Sequence, residues 1–220
     1  MKSILSAAVD LAGRNAGFAL LRDGQTLCDA IRPMKGRDSA GFAQWVIEQL
    51  SAFDLKIDDV DRWTVGSGPG SFTGMRIAAA LAAGWCFRKP AKELRCVPSA
   101  IAFAAASGLT GQVGCLFDGR NQELIYFEVE FRNGEFVDTG VTAVLNRDQA
   151  ADFFAGSAAG RRLTAPDYDM PALEKLLPAE TLAMVTPVAK PAFAALAAAE
   201  YRKFDGKVSD LVYIRPAVFA

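Results

Sequence analysis

Apolar residues along the chain follow two spacings, and together these predict an α/β protein. Short apolar runs at residues 3–11 (SILSAAVDL) and 62–66 (RWTVG) have the length of buried strands. Residues at about 40–53 and 74–87 instead show the three-to-four-residue spacing of amphipathic helices. Strand and helix patterns therefore alternate through the first half of the chain, which is typical of mixed sheets with flanking helices.

The ends of these elements are marked by capping and breaking residues. Ser39 is the predicted N-cap of the first helix. The segment ELRCVPS predicts a strand that ends at Pro98, and AIAFAAAS predicts a short helix that stops at Gly108. Asp23-Gly24 and Asn133-Gly134 are predicted hairpin turns, because both pairs tolerate a positive φ.

The strand and helix pattern restarts near Gly111, which predicts two related α/β lobes. We place the first lobe at residues 1–100 and the second at residues 101–189. A late alanine-rich helix at about 190–206, followed by an extended tail, is predicted to complete the first lobe. No linker composition marks the boundary near residue 100.

Composition narrows the chemistry that these lobes can perform. The 220 residues include no histidine, which excludes Ser-His-Asp and Cys-His catalysis and histidine-ligated zinc within the chain. The net charge of −1 gives no global basic field for nucleic acid or lipid. Four widely spaced cysteines indicate reduced thiols, and no apolar run is long enough to span a bilayer. We expect a soluble cytoplasmic protein without a metal site.

The glycine-rich segment at residues 64–84 (TVGSGPGSFTGMRIAAALAAG) is the strongest candidate for function. A phosphate-binding Walker loop requires Gly-Lys-Ser/Thr at its end, but this loop ends in TGMR. The dinucleotide pattern G-x-G-x-x-G also fails, because Ser71 or Thr73 takes the place of the third glycine. Either residue can instead cap the following helix. Spacing alone leaves structural packing, a protein interface and a ligand site open.

The residues of that loop and helix carry specific expectations. Arg76 lies in the first helical turn, where a cation opposes the helix dipole, so we expect a negative group nearby. The helix that follows is rich in alanine, which permits close approach of another helix. Trp45, Trp63 and Trp85 are interpreted as core or interface residues.

Residues 66–77 (GSGPGSFTGMRI) closely resemble the signature of the TsaB (YeaZ) family of bacterial tRNA-modification subunits, approximately G-x-G-P-G-S-F-T-G-[LMV]-R-I-G. Ala78 replaces its last glycine. Residues 4–21, 96–107, 118–130 and 211–217 resemble further family segments, so the similarity extends over nearly the whole chain. The signature residues are Gly66, Gly68, Pro69, Gly70, Ser71, Phe72, Thr73, Gly74 and Arg76.

This resemblance implies an actin-like, sugar-kinase-like (ASKHA) fold of two lobes, each a small mixed β-sheet with flanking helices. It implies a non-catalytic scaffold or activator in the synthesis of N6-threonylcarbamoyladenosine at position 37 of tRNA. The implied partners are a TsaD-like catalytic subunit, a TsaE-like ATPase and a second copy of the chain, with tRNA contacted only indirectly. The implied interface lies on the two first-lobe helices, at Phe42, Trp45, Val46, Gln49, Ala79, Ala80, Ala83 and Phe87.

The chain also departs from the family pattern. Leu11 replaces the threonine that follows the first-strand Asp10, so the hydroxyl expected near phosphates in this superfamily is missing. We predict no catalytic residue and no cofactor, with ATP or ADP at the partner interface as an open alternative. Asp10, Asp118, Arg120 and Glu123 are candidates for a groove. An active ASKHA-type phosphotransferase and a stand-alone homodimeric regulator are the alternative functions.

Overall fold

A computed structural model of the chain describes residues 3–34, 38–199 and 211. These residues divide into two compact units. Unit 1 contains residues 3–34, 38–99, 192–199 and 211, and unit 2 contains residues 100–191. Each unit is built around one five-stranded mixed sheet.

The sheet of unit 1 has the order β3-β2-β1-β4-β5. Its strands are β1 (Leu5–Asp10), β2 (Asn15–Arg22), β3 (Gln25–Pro33), β4 (Arg62–Gly66) and β5 (Glu93–Val97). The first three strands pair antiparallel, whereas β4 joins β1 in parallel and β5 joins β4 in parallel. The central strand β1 is buried over its whole length, as expected for a strand covered on both faces.

The sheet of unit 2 has the order β10-β9-β6-β7-β8. Its strands are β6 (Gln112–Arg120), β7 (Glu123–Arg132), β8 (Glu135–Leu145), β9 (Arg162–Pro166) and β10 (Val185–Val188). Here β6, β7 and β8 pair antiparallel, whereas β9 joins β6 in parallel and β10 joins β9 in parallel. The second sheet therefore repeats the strand order and directions of the first.

The described helices are α1 (Phe42–Ser51), α2 (Phe72–Cys86), α3 (Ala100–Ser107), α4 (Arg147–Ala155), α5 (Met170–Leu173), α6 (Ala179–Ala183) and α7 (Phe193–Ala198). Short 3₁₀ turns cover Asp38–Gly41, Ile57–Asp59 and Asp167–Asp169. Helices α1 and α2 share one apolar core with the unit 1 sheet, and α7 also packs on that sheet. Helix α3 packs on the sheet of unit 2. None of the helices in the described ranges has the length and apolarity needed to cross a membrane.

Both predicted hairpin turns are present. Asp23 and Gly24 have φ values of 51° and 80°, and Asn133 and Gly134 have φ values of 54° and 91°. These left-handed pairs match the twist of the flanking strands, which is why the Asp-Gly and Asn-Gly signals are reliable.

Two of the predicted helix ends need correction. The N-cap of α1 is Gly41 rather than Ser39, because the 3₁₀ turn at Asp38–Gly41 comes between Ser39 and the helix. In the predicted late helix, only Phe193–Ala198 is helical among the described residues. The rest of that prediction, from residue 200, and the predicted tail apart from Leu211 lie outside the described residues.

Candidate functional site

The signature loop connects β4 to α2 and lies against the end of β1. Asp10 ends β1 and is 2% exposed. Its Oδ1 accepts a hydrogen bond from the Ala12 amide at 2.7 Å, which forms a tight turn after the strand. Burial raises the pKa of Asp10 above its ordinary value, and hydrogen bonds from Ser99 and Ala12 oppose that shift only in part. A buried carboxyl group therefore lies directly beneath the loop.

The glycines of this loop are required by close contact with that carboxyl group and with the β1–β2 turn. A Cβ atom on Gly66 would lie 1.9 Å from Asp10 Oδ2. One on Gly70 would lie 2.2 Å from the Ala12 carbonyl oxygen, and one on Gly74 would lie 1.9 Å from the Leu11 carbonyl oxygen. Two backbone segments thus pack together with no space for a side chain.

Four backbone amides of the loop and the first turn of α2 already donate within unit 1. Gly68 N donates to Ser99 Oγ at 3.1 Å, and Ser67 N donates to the Val97 carbonyl. Ser71 N donates to the Ala12 carbonyl at 2.7 Å. The Ser71 hydroxyl accepts from Gly74 N at 3.1 Å and caps α2, as one of the two predicted caps. The loop is therefore a fixed connection that aims α2, with these donors engaged.

Helix α2 presents its two faces to different surroundings. Met75, Ala78, Ala79 and Ala82 are buried and pack into the unit 1 core. Along the exposed face, Ala80 and Gly84 are separated by about one turn, and Phe87 follows directly after the helix with 69% of its surface exposed. Small residues therefore occur on both faces of α2. The buried ones let the helix approach its own sheet closely.

Arg76 lies on the exposed side of the first turn of α2. Its guanidinium carbon is 3.7 Å from the centre of the Phe72 ring, which is a cation–π contact. The helix dipole disfavours a positive charge in the first turn, and the contact with the Phe72 ring offsets part of that cost for the Arg76 guanidinium.

The residues predicted to form the partner interface differ in how much surface they expose. Phe42, Trp45, Val46 and Ala79 are no more than 8% exposed and belong to the unit 1 core, so they have little surface to offer a partner. Gln49 and Ala83 are half-buried, whereas Ala80 and Phe87 are exposed. The aromatic stripe of α1 faces the sheet, and Ile47, at 42% exposed, is on its outer side.

The remaining groove candidates belong to different units. Asp10 is part of unit 1, and Asp118, Arg120 and Glu123 surround the β6–β7 turn of unit 2. Asp118 Oδ1 accepts from the Arg120 amide at 2.8 Å, and the Asp118 amide donates to Asp169 Oδ2 at 3.1 Å. Within the described ranges, no group of three or more Cys, Asp or Glu side chains is arranged to hold a metal ion.

Sequence reasoning missed several buried polar residues around these sites. Ser99 binds the loop amide of Gly68, and Asp169 holds the Asp118 turn at 6% exposure. Arg95, at 3% exposure, donates to Thr64 Oγ1 at 2.8 Å and to the carbonyls of Ala197 (2.9 Å) and Ala199. The one local feature that could have indicated Arg95 is a charged residue inside the apolar strand ELRCV, since buried arginines are rare unless their donors are satisfied.

Comparisons with known proteins address the family and the fold. The curated protein "tRNA threonylcarbamoyladenosine biosynthesis protein TsaB" of Bacillus subtilis is 28% identical over 131 residues, which is 58% of this chain and 56% of the length of that relative. The solved structure of YeaZ from Pseudomonas aeruginosa is 22% identical, covers 90% of both chains and has a TM-score of 0.70. This match and the two mixed sheets confirm the predicted actin-like fold class.

A family model extends further than the curated match. The model described as "TsaD: tRNA N6-adenosine threonylcarbamoyltransferase" matches residues 39–204, which is more than half of the chain. With the two relatives above, this match confirms the resemblance of the signature loop. The chain belongs to the TsaD-type threonylcarbamoyltransferase family, among its TsaB (YeaZ) members.

Proposed function

We propose that this chain is a non-catalytic scaffold and activator in the synthesis of N6-threonylcarbamoyladenosine at position 37 of tRNA. In this proposal it forms a dimer with a TsaD-like catalytic subunit and recruits a TsaE-like ATPase. Family membership and the similarity to the TsaB protein of Bacillus subtilis support the pathway. A second copy of the chain occupies the same surface when the catalytic subunit is absent.

The observation that carries the non-catalytic part is the internal use of the signature loop. The amides of Gly68, Ser71 and Gly74 donate to groups of unit 1, so a phosphate would have to displace those bonds. The sequence has no histidine to act as a general base near neutral pH. A loop of this kind holds α2 in place, and the function then depends on what α2 contacts.

The outer face of α2 supports the partner surface. Ala80 and Gly84 place no large side chain on that face, and a Cβ atom added to Gly84 would meet no atom within 4 Å. Phe87 presents 69% of its surface at the end of the helix. Small residues allow close helix approach, and an exposed aromatic side chain is a typical anchor at the centre of an interface. A helix of the partner can pack along this face.

Size-exclusion chromatography with the TsaD-type subunit of the same organism tests this surface. Ala80→Arg is expected to abolish the complex, because an arginine side chain and its charge block close helix approach. The matched control is Ala151→Arg, which makes the same change at an exposed position of α4 in unit 2 and is expected to leave the complex intact. Reconstituted tRNA modification is expected to require the wild-type chain and to fall with Ala80→Arg only.

Two outcomes contradict this proposal. If no complex forms with wild-type chain and modification proceeds equally well without it, the scaffold function is lost. If both Ala→Arg variants bind normally, the interface lies elsewhere.

Asp10 gives one specific reason to consider an active phosphotransferase as a second candidate. It is a buried carboxyl group at the end of β1, next to the loop. Single-turnover ATP hydrolysis by the isolated chain that disappears in Asp10→Ala, in a variant that still folds by circular dichroism, favours this candidate. Absence of hydrolysis in the wild-type chain excludes it.

A further inference from the structure

Three arginines of unit 1 lie around the ends at which α1 and α2 begin. Arg14 belongs to the β1–β2 turn, Arg32 to the end of β3 and Arg76 to the first turn of α2. Arg14 and Arg76 are exposed, and Arg32 is half-buried. The three residues are far apart in the sequence, so it is the fold that brings these positive charges to one corner of unit 1.

The strand pairing places Arg14 and Arg32 on one face of the sheet. The Met34 amide donates to the Arg14 carbonyl at 3.2 Å, and Ala16 pairs with Arg32. Arg14 and Arg32 are therefore diagonal neighbours across the two strands, a position in which Cα atoms are about 7–8 Å apart. A Cβ atom on Gly41, the N-cap of α1, would lie 3.7 Å from Arg32 Nη2, so this is the face that α1 covers.

The first turn of α2 brings Arg76 to the same corner. A Cβ atom on Gly74 would lie 1.9 Å from the Leu11 carbonyl oxygen, so this helical turn packs against the segment that leads to Arg14. Arg76 follows two residues later and is exposed. Ala80 is four residues further on and therefore lies on the same side of the helix. The three arginines thus stand at one end of the partner face proposed above.

The charge of this corner is positive. It is built from four segments, residues 11–16, 30–34, 38–44 and 71–78. Among the described residues of these segments, Asp38 is the one acidic side chain, whereas Asp10, just before them, is 2% exposed. The positive ends of the α1 and α2 dipoles also lie here and oppose further cations. An anionic partner is therefore attracted by three guanidinium groups and by both helix ends.

The open position of these arginines indicates the kind of anion. A small-molecule site is typically a cleft that buries most of its ligand. Arg14 and Arg76 instead lie on the surface of unit 1, which suits a macromolecular polyanion. Guanidinium groups match the geometry of phosphate oxygens, and a nucleic-acid backbone presents phosphates in a row. These properties favour a nucleic acid over an acidic protein surface.

We propose that Arg14, Arg32 and Arg76 contact the phosphate backbone of tRNA. This inference rests on the function proposed above, because that pathway supplies tRNA as the substrate of the complex. It departs from the indirect contact with tRNA that the family resemblance implies. Phosphate contacts position a nucleic acid without reading its sequence, so this patch holds tRNA at the edge of the partner face and leaves its selection to other contacts.

Fluorescence anisotropy of the full chain with an unmodified tRNA transcript tests this contact. Arg14→Gln and Arg76→Gln are each expected to weaken binding about fivefold, because each removes a charged contact to phosphate. Each is also expected to lower the slope of log affinity against log salt by about 0.7–0.9, the change for one lost phosphate contact. Arg14→Lys and Arg76→Lys keep the charge and are expected to retain the wild-type slope.

Arg88→Gln is the matched control. Arg88 is also an exposed arginine of unit 1, and its guanidinium carbon lies 5.5 Å from the centre of the Phe87 ring, as Arg76 lies over Phe72. It follows α2 at the opposite end, away from the corner, so tRNA affinity and salt slope are expected to remain those of the wild-type chain. Circular dichroism is expected to show the same fold for all variants, because the replaced side chains are exposed.

The proposal is overturned if the wild-type chain does not bind tRNA, or if Arg88→Gln weakens binding as much as the two corner variants do. It is also overturned if Arg14→Gln and Arg76→Gln keep their tRNA affinity and instead lose the complex with the TsaD-type subunit. That result would assign the corner to an acidic protein surface. Complex formation is measured separately by size-exclusion chromatography, so a chain that binds the subunit but not tRNA contradicts this proposal alone.

Discussion

The two sheets have the same strand order and directions, yet they differ where the central strand ends. In both units an aspartate there accepts from the amide two residues later, at 2.7 Å for Asp10 and 2.8 Å for Asp118. In unit 1 the neighbouring strand β4 continues into the glycine-rich loop and the 15-residue helix α2. In unit 2 the equivalent strand β9 continues into a 3₁₀ turn at Asp167–Asp169 and the four-residue α5.

This difference shows how one scaffold supports two kinds of surface. In unit 1 the loop packs onto the Asp10 carboxyl group and the β1–β2 turn so closely that glycine is required at positions 66, 70 and 74. In unit 2 the β6–β7 turn is held differently: its Asp118 amide donates to Asp169, and the turn borders an open cavity. The tight packing of the signature loop holds α2 rigidly in place, whereas the open cavity beside the β6–β7 turn leaves room for a small ligand. Three predictions separate these two designs.

The largest expected effect on stability comes from replacing Arg95, which is buried on β5 of unit 1. Arg95→Leu is expected to lower the free energy of unfolding by about 3–5 kcal/mol, because the carbonyls of Ala197 and Ala199 and the Thr64 hydroxyl lose their charged donor while buried. Urea denaturation measures the loss. In unit 2, the Thr164 hydroxyl donates to the backbone carbonyl of Thr186 on β10.

That backbone contact gives the matched control. Thr186→Val keeps the carbonyl and is expected to change stability by less than about 0.5 kcal/mol. Equal losses for Arg95→Leu and Thr186→Val would show that the buried arginine does not anchor the residues at the end of α7.

The next effect compares two glycines of α2. Gly74→Ala is expected to destabilise the chain by about 2–3 kcal/mol, because its Cβ atom would lie 1.9 Å from the Leu11 carbonyl oxygen. Gly84→Ala has open space around the new Cβ and is expected to stabilise the helix by about 0.5–1 kcal/mol. Thermal unfolding compares them, and a stabilising Gly74→Ala contradicts the tight packing of the loop.

The smallest expected effect is a pH trend from Asp10. Burial raises its pKa in the folded state, so the folded chain binds its proton more tightly than the unfolded chain. The contribution of Asp10 to the stability of the wild-type chain is then expected to fall as pH rises from about 4, the ordinary pKa of aspartate, towards the raised pKa of the folded state. Asp10→Asn, which cannot ionise, lacks this contribution.

Thermal unfolding of both proteins between pH 4 and 8 measures this trend. The stability of Asp10→Asn relative to the wild-type chain is expected to increase over that window. If the difference in stability between the two proteins stays constant with pH, Asp10 does not have a raised pKa in the folded state.

The sequence predicted the fold well where a local signal determines the structure. The Asp23-Gly24 and Asn133-Gly134 turns were found because only a few residue pairs tolerate two left-handed conformations. The signature loop was recognised from its resemblance to a family signature, and the structure shows that Gly66, Gly70 and Gly74 have no space for a Cβ atom. The strand and helix order followed from apolar spacing.

The burial of the apolar stripe on α1 was harder to predict, because periodicity does not show whether an apolar face packs in the core or against a partner. The stripe that contains Phe42 and Trp45 is equally consistent with a core or a partner, and the structure places it in the core. Contacts between distant parts of the sequence, such as Arg95 with Ala197 or Asp118 with Asp169, leave no local pattern at all.

The placement of α3 and α7 affects how the chain can fold during synthesis. The strands of unit 1 end at Val97, but α7, which packs on that sheet, begins only at Phe193. A ribosome releases the N-terminal sheet first, so nearly a hundred further residues must be made before α7 exists. The unit 2 sheet, by contrast, has its α3 helix available from the outset. The strands of unit 2 are thus made together with a helix that covers them, whereas α7 of the unit that carries the signature loop is made long after its strands.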